Sequence, residues 1–345
     1  MQSQYAYSPL VVSIARAIAG GVTTFPGSTK ISCQNIVDLA TMHGVLPLLS
    51  ERITYGTVKG ICSSCESELR QITRRLAAEQ LSILNSLKKV YDSAKISGIQ
   101  ILFLKGFPVS FLHYKHSYLR TRSDVDIFVC LKDVDLFLRL LTELGYKLSH
   151  TAAEHLFPGQ IVATQILSSG TRLELDVHLK ISNRAVFKNL LTFTECWRTR
   201  QSFEVFNGQA YTLGNEQLLM HCCIHRLADS RGTRKNKLIW IFDIHLIVSA
   251  MTEQELFTFR ALTNSKRVSA LCHDGLMRSR FYFGTVFPKG YLSSFGQNER
   301  IEPSRTLVGA SKTGWLWSDL KFSSGIKEKS RVVGELVKNK WLSSH

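Results

Sequence analysis

No apolar run in this 345-residue chain is long enough to cross a bilayer: the longest, residues 238–251, is broken by Asp243 and His245 and falls short of the roughly 20 residues that a spanning helix needs. A secretory pattern is missing too, because no basic leader precedes the apolar residues 9–21 and Arg16 interrupts them. Neither a low-complexity tract nor a repeat of fixed period is present, and 44% hydrophobic with 20% charged residues is a globular composition, which excludes a disordered chain. The 8 cysteines lack the spacing of a disulfide framework, so free thiols in a reducing compartment are expected. One C-x-x-C, Cys62 to Cys65, has no partner pair to complete a zinc site. Acidic residues are the minority, 27 against 43 lysines and arginines, and the net charge of +16 favours anionic partners such as nucleotide phosphates, nucleic acid or an acidic membrane face. These absences leave a soluble, cytoplasmic enzyme of two or three lobes as the simplest reading.

What is present falls into three stretches, residues 1–98, 99–212 and 213–345. Up to Gly98 the pattern is helical, with apolar residues at three- and four-residue spacing (Leu69, Ile72, Leu76, Leu81, Leu84, Leu87), and Gly98 caps the last helix. Then Ile-Gln-Ile-Leu-Phe-Leu, residues 99–104, predicts a short buried strand ending at Lys105-Gly106, followed by a helical segment to about Tyr114. Residues 124–130 alternate as a strand, and 134–144 have helical spacing that stops at Gly145. Two more strands, 160–167 and 171–179, flank Ser168-Ser169-Gly170, a sequence suited to a tight hairpin. From Asn215, read as an N-cap, the chain is helical again. Beyond residue 264 no period stands out; Trp315, Trp317 and Trp341 are scattered there, and Lys327, Lys329, Arg331, Lys338 and Lys340 make the tail basic.

The chemistry is concentrated in two strands. In Ser123-Asp124-Val125-Asp126-Ile127, residues two apart point the same way, so both carboxylates share one face. In residues 172–179 strict alternation sets Arg172, Glu174, Asp176 and His178 on one face and aliphatics on the other. On a single strand, alternating charge is the ordinary mark of a solvent face. Two acid-bearing strands after a strand that ends in glycine point further: as sheet neighbours they would bring three carboxylates together, and hard oxygen ligands suit Mg²⁺ or Mn²⁺ better than zinc. His221 and His225 share a helix face, but Cys222 stands where a zinc protease carries glutamate, which excludes that class.

In this order, Leu104-Lys105-Gly106 after a strand, Leu119-Arg120 shortly before Asp124-Val125-Asp126, and Leu175-Asp176-Val177-His178 resemble the uncharacterised bacterial nucleotidyltransferase family of the DNA polymerase beta superfamily. His221 to His225 followed by Trp240-Ile241-Phe242-Asp243 is similar to that family's helical segment, so the resemblance covers roughly residues 35–250. It implies an α+β fold, a small mixed sheet forming a nucleotidyltransferase core at residues 99–212 between N-terminal and C-terminal helical regions. It also implies a transferase that uses a nucleoside triphosphate and divalent metal. Gly106 matches the glycine of the superfamily's Gly-Ser turn, whereas Phe107 stands in place of the serine, leaving Lys105, Arg120 or Ser123 to substitute in triphosphate binding.

On this reading Asp124 and Asp126 hold both metals of a two-metal site, and Asp176 completes it and takes the acceptor's proton, with Glu174 as the runner-up. Lys105 and Arg120 are the candidates for phosphate contacts. His178 is expected to orient a carboxylate or touch substrate, His225 to pack or hydrogen-bond with Asp243 between helices, and Trp197 or Trp240 to line an acceptor pocket. The acceptor, a hydroxyl on a small molecule, a protein or an RNA end, is left open. The competing reading is a non-catalytic protein that binds nucleotide, nucleic acid or a partner through its positive charge and retains only the fold.

Overall fold

A computed structural model describes residues 9–25, 33–149, 160–182, 184–228, 236–295, 302–323, 325–326, 329–330 and 332–334. Of the tail residues singled out above, Lys327, Arg331, Lys338, Lys340 and Trp341 lie outside the described residues.

The N-terminal region is helical, as its spacing predicts: α1 (Pro9–Ile18), α2 (Cys33–Met42), α3 (Leu46–Thr54) and α4 (Ser63–Ile96). The exception is a parallel pair, β1 (Thr23–Thr24) with β2 (Val58–Lys59), whose two-residue strands are too short to leave an alternation in the sequence. Helix α4 runs 34 residues, about 50 Å at 1.5 Å per residue, and serves two cores. Cys65 and Leu69 belong to one core, Leu87, Val90 and Ala94 to another. Between them the apolar ladder fails: Leu81 is 65% exposed, whereas Gln80 is buried and donates to Ser117 Oγ at 2.6 Å. The helix ends as expected at Gly98, whose φ of +68° lets its N–H reach the Lys95 carbonyl and that of Ile99 the Ala94 carbonyl.

The centre is a seven-stranded mixed sheet. Its strands are β3 (Ile101–Leu104), β4 (Val125–Val129), β5 (Lys147–Ser149), β6 (Gln160–Ile166), β7 (Arg172–His178), β8 (Gln201–Val205) and β9 (Gly208–Thr212), in the order β5-β6-β7-β4-β3-β9-β8. Interspersed are α5 (Gly106–Leu112), α6 (Val134–Glu143) and α7 (Phe193–Arg198). The pairs β4–β7 and β3–β9 are parallel; the other pairs are antiparallel. The predicted hairpin is β6–β7, and Gly145, with φ of +86°, stops α6 as read. The alternation reading missed β5, which has three residues, and the β8–β9 hairpin, although Asn207-Gly208 in that turn is a hairpin signal.

Alternation along these strands sorts the two faces. Phe103, Val125, Ile127, Leu175 and Val177 pack with α4 and α6 in one core. Leu102, Leu104 and Phe128 turn the other way, into a larger core shared by the N-terminal and C-terminal helices. The latter are α8 (Asn215–Ala228), α9 (Leu238–Ala250), α10 (Glu253–Ser265), α11 (Ser269–Phe283) and α12 (Lys312–Phe322). Asn215 is the first residue of α8 rather than its cap: Leu218 N–H bonds the Gly214 carbonyl, and the Asn215 side chain bridges Gln201 and Glu255. The apolar run 238–251 is α9, a helix apolar all round because α8 and α11 enclose it. No helix of the described residues is long and apolar enough to cross a membrane. Helices also occupy the stretch beyond residue 264 where no period was legible; Trp315 of α12 is buried edge-on to Phe187, while Trp317 is 63% exposed.

Candidate active site

The site follows from one register. Strands β4 and β7 are parallel neighbours in which Asp126 faces Asp176 and Phe128 faces His178. All four side chains therefore point to the sheet face covered by the C-terminal helices. Asp126, Asp176 and His178 are 4%, 7% and 2% exposed, and one ligand atom from each lies within 4.8 Å of the others. His178 Nε2 is 2.8 Å from Asp126 Oδ1, the same oxygen that Lys105 Nζ reaches at 2.5 Å.

The two acids respond differently to burial. Burial disfavours the charge on Asp126, but the Lys105 ammonium and the His178 hydrogen bond outweigh it and hold that carboxyl well below the usual carboxylate range. Asp176 is pushed up to about 8 by burial and then by the charge of Asp126, against the pull of Lys105, with Asp124 and Glu174 adding to the rise. Asp176 Oδ1 is buried and has no hydrogen-bond partner among the described residues. A buried acceptor left unmatched beside a second carboxylate suits a cation, which would favour the charged form of Asp176 that burial and Asp126 oppose.

The other sequence candidates divide. Asp124 precedes the first paired residue of β4 and is half-buried; its charge acts on Lys105 and Asp176, but it is not one of the three mutually close ligands. Glu174 is half-buried and turned to Arg172 Nη2 at 3.0 Å. Ser123 is exposed. His178 stands in the cluster itself, and burial lowers its pKa.

Arg120 lines a narrow cleft beside Lys105 and Gly106, where an acid already engages its guanidinium. Fully buried, it forks onto Asp243 of α9, Nη2 to Oδ2 at 2.7 Å and Nε to the two oxygens at 3.0 and 3.1 Å, while Tyr114 Oη donates to Asp243 Oδ1 at 2.7 Å. A carboxylate inside an apolar helix requires such a partner. Of the two structural roles expected of His225, the structure shows packing: Asp243 is taken by Arg120 and Tyr114, and His225 lies edge-on to Trp240 with centroids 5.2 Å apart. Trp240 lines that cleft with Lys105, Gly106, Arg120 and His225, whereas Trp197 is stacked on Phe193 under Arg200.

The turn that carries Gly106 has two special residues. The residue at positive φ in the turn after β3 is Lys105, at φ 55° and ψ −132°, not Gly106. Gly106 is restricted for another reason: a Cβ there would sit 2.6 Å from Arg120 Cζ. Sequence reasoning missed Arg122, whose Nη1 donates to Ser110 Oγ at 3.1 Å and whose guanidinium lies 4.9 Å from the Phe107 ring centroid. Its Nε and Nη2 are buried without partners among the described residues; burial and then Arg120 lower its pKa to about 9, with Asp124 opposing. Its only sequence signal was its place two residues before Asp124.

Comparison with known proteins bears on what this arrangement is. A search of curated proteins finds no match. Among solved structures, the solution structure of the antibiotic-resistance factor ANT(2'')-Ia is similar at 12% identity and a TM-score of 0.40, over 57% of this chain and 98% of that one. A family model described as uncharacterised nucleotidyltransferase matches residues 29–284, a span that contains both acid-bearing strands, the Lys105-Gly106 turn and the helix of Asp243. The chain thus belongs to the uncharacterised nucleotidyltransferase family, as the motif order suggested, and is a transferase.

Proposed function

We propose that this nucleotidyltransferase moves a nucleoside monophosphate from a nucleoside triphosphate to a hydroxyl acceptor, with Asp124, Asp126 and Asp176 as the ligands of Mg²⁺ or Mn²⁺. The observation that carries the reading is the in-register pair of buried acids, Asp126 and Asp176, with Asp176 Oδ1 unmatched. When bound, divalent ions supply charge neutralisation at the phosphates and lower the pKa of the attacking hydroxyl. Asp124, at the edge of the cluster, completes the ligand set from the solvent side. His178 holds Asp126 in place through its Nε2 contact.

In the transfer, the acceptor oxygen forms a bond to the α-phosphorus as the bond from that phosphorus to the bridging oxygen breaks, and pyrophosphate leaves with the electron pair. The hydroxyl proton passes to the Asp176 carboxylate. Lys105 and Arg122 supply the positive groups for the phosphates, since Arg120 is engaged with Asp243. The acceptor is a hydroxyl on a small molecule, a protein or an RNA end. A purely non-catalytic binder is the weaker reading, because buried acids repel phosphate and weaken such a function.

The test is incubation of the wild type, Asp126→Asn and Asp176→Asn with each labelled nucleoside triphosphate and Mg²⁺ or Mn²⁺, following pyrophosphate and labelled product. Metal-dependent release by the wild type alone supports the reading. Release undiminished in both variants would sink it.

A further inference from the structure

Lys105 is in an unusual place for a lysine. Its ammonium lies 2.5 Å from Asp126 Oδ1, and the charges of Asp124 and Asp176 also act on it, so three acids share one cation. The backbone that puts it there has φ 55° and ψ −132°, a conformation that glycine adopts freely and other residues only under strain. The adjacent glycine does not relieve this, because Gly106 is restricted by Arg120 and does not have a positive φ. The ammonium also serves the acids unequally: it satisfies Asp126 and leaves Asp176 Oδ1 without a partner.

From this geometry we infer that Lys105 is a resident counter-cation that competes with the divalent ion for Asp126 and leaves it for the phosphates of the incoming nucleotide. The inference rests on the metal-binding reading above. An ammonium seated on Asp126 Oδ1 repels a divalent ion at the same oxygen, so metal alone binds poorly. A triphosphate offers the ammonium another anionic partner and removes that repulsion. Metal and triphosphate then strengthen each other's binding by the same factor, as linkage requires. The protein thereby takes up metal together with nucleotide, and the strained turn keeps the lysine within reach of both.

The experiment compares wild type, Lys105→Met and Lys105→Gly for binding of Mn²⁺ alone and then of Mn²⁺ with inorganic tripolyphosphate, each read by equilibrium dialysis as the excess Mn²⁺ retained with the protein. Methionine keeps the chain length without the charge, and glycine also relaxes the backbone, so a folding defect of the first variant leaves the second to decide. Both variants are expected to bind Mn²⁺ alone about tenfold more tightly than wild type. Tripolyphosphate should tighten Mn²⁺ binding strongly in wild type and weakly in the variants. Mn²⁺ affinity that is unchanged or weaker without the ammonium overturns the inference while leaving the metal site standing. No Mn²⁺ binding by any of the three, with or without tripolyphosphate, removes the metal site itself and the inference with it.

Discussion

The Arg120 guanidinium lies against Gly106 so closely that a methyl group on residue 106 would come within 2.6 Å of its Cζ. Arg120 cannot retreat, because Asp243 holds it through three contacts between 2.7 and 3.1 Å. Gly106 is the first residue of α5, where alanine would otherwise be the better helix former. Gly106→Ala is therefore expected to destabilise by about 1–3 kcal/mol through overpacking. Denaturant unfolding checks this; an unchanged midpoint would mean that the turn yields without cost.

Asp243 and Arg120 form a buried ion pair linking the segment before β4 to α9. Removing one partner leaves an uncompensated charge, so Asp243→Asn and Arg120→Met should each cost about 3–5 kcal/mol. The double variant should lose less than the sum of the two. Additive losses in a double-mutant cycle would show that the pair is not coupled.

The N-terminus of α9 is held by His43: the Leu238 N–H donates to its Nδ1 at 3.3 Å and the Ile239 N–H to its carbonyl at 3.2 Å. Burial and then Lys237 lower the His43 pKa from 6.5 to about 4, and His221 is lowered to about 3, chiefly by burial. A folded-state pKa below the unfolded value means that the unfolded chain binds more protons in between. This contribution to stability is full above pH 6.5 and is lost as pH falls toward 4. Protonation also removes the acceptor at Nδ1. In His43→Gln, which offers an acceptor that does not titrate, the fall in Tm over that window should shrink by about 2 °C. A Tm–pH profile identical to wild type would refute a role for this histidine.

Arg122 carries two buried nitrogens with no partner, an arrangement costly to the fold and suited to an anion. Arg122→Met should keep or raise Tm while raising KM for the nucleoside triphosphate about tenfold, the loss of one charge-assisted hydrogen bond. A lowered Tm with unchanged KM would assign Arg122 to structure alone.

Where the determinants are local, they are legible in the sequence. Side chains two apart on a strand share a face whatever surrounds them, so Asp124-Val125-Asp126 and residues 172–179 declared their acidic faces at once. Gly98 and Gly145 announced helix ends because a left-handed residue is a requirement of the chain itself. The order of these pieces was enough to indicate the family.

What only the tertiary structure decided is which of these groups meet. Parallel pairing of β4 with β7 sets Asp126 opposite Asp176; a slip of one residue would turn one of the acids to the other face of the sheet. That Arg120 pairs with Asp243 was not legible, because the acid lies 123 residues away in sequence. Nor was it legible that Lys105 sits on Asp126, 21 residues away. Burial is the physical reason in each case: a charge withdrawn from water must find a partner among whatever the packing brings near, and that is a property of the assembled sheet and helices rather than of any segment.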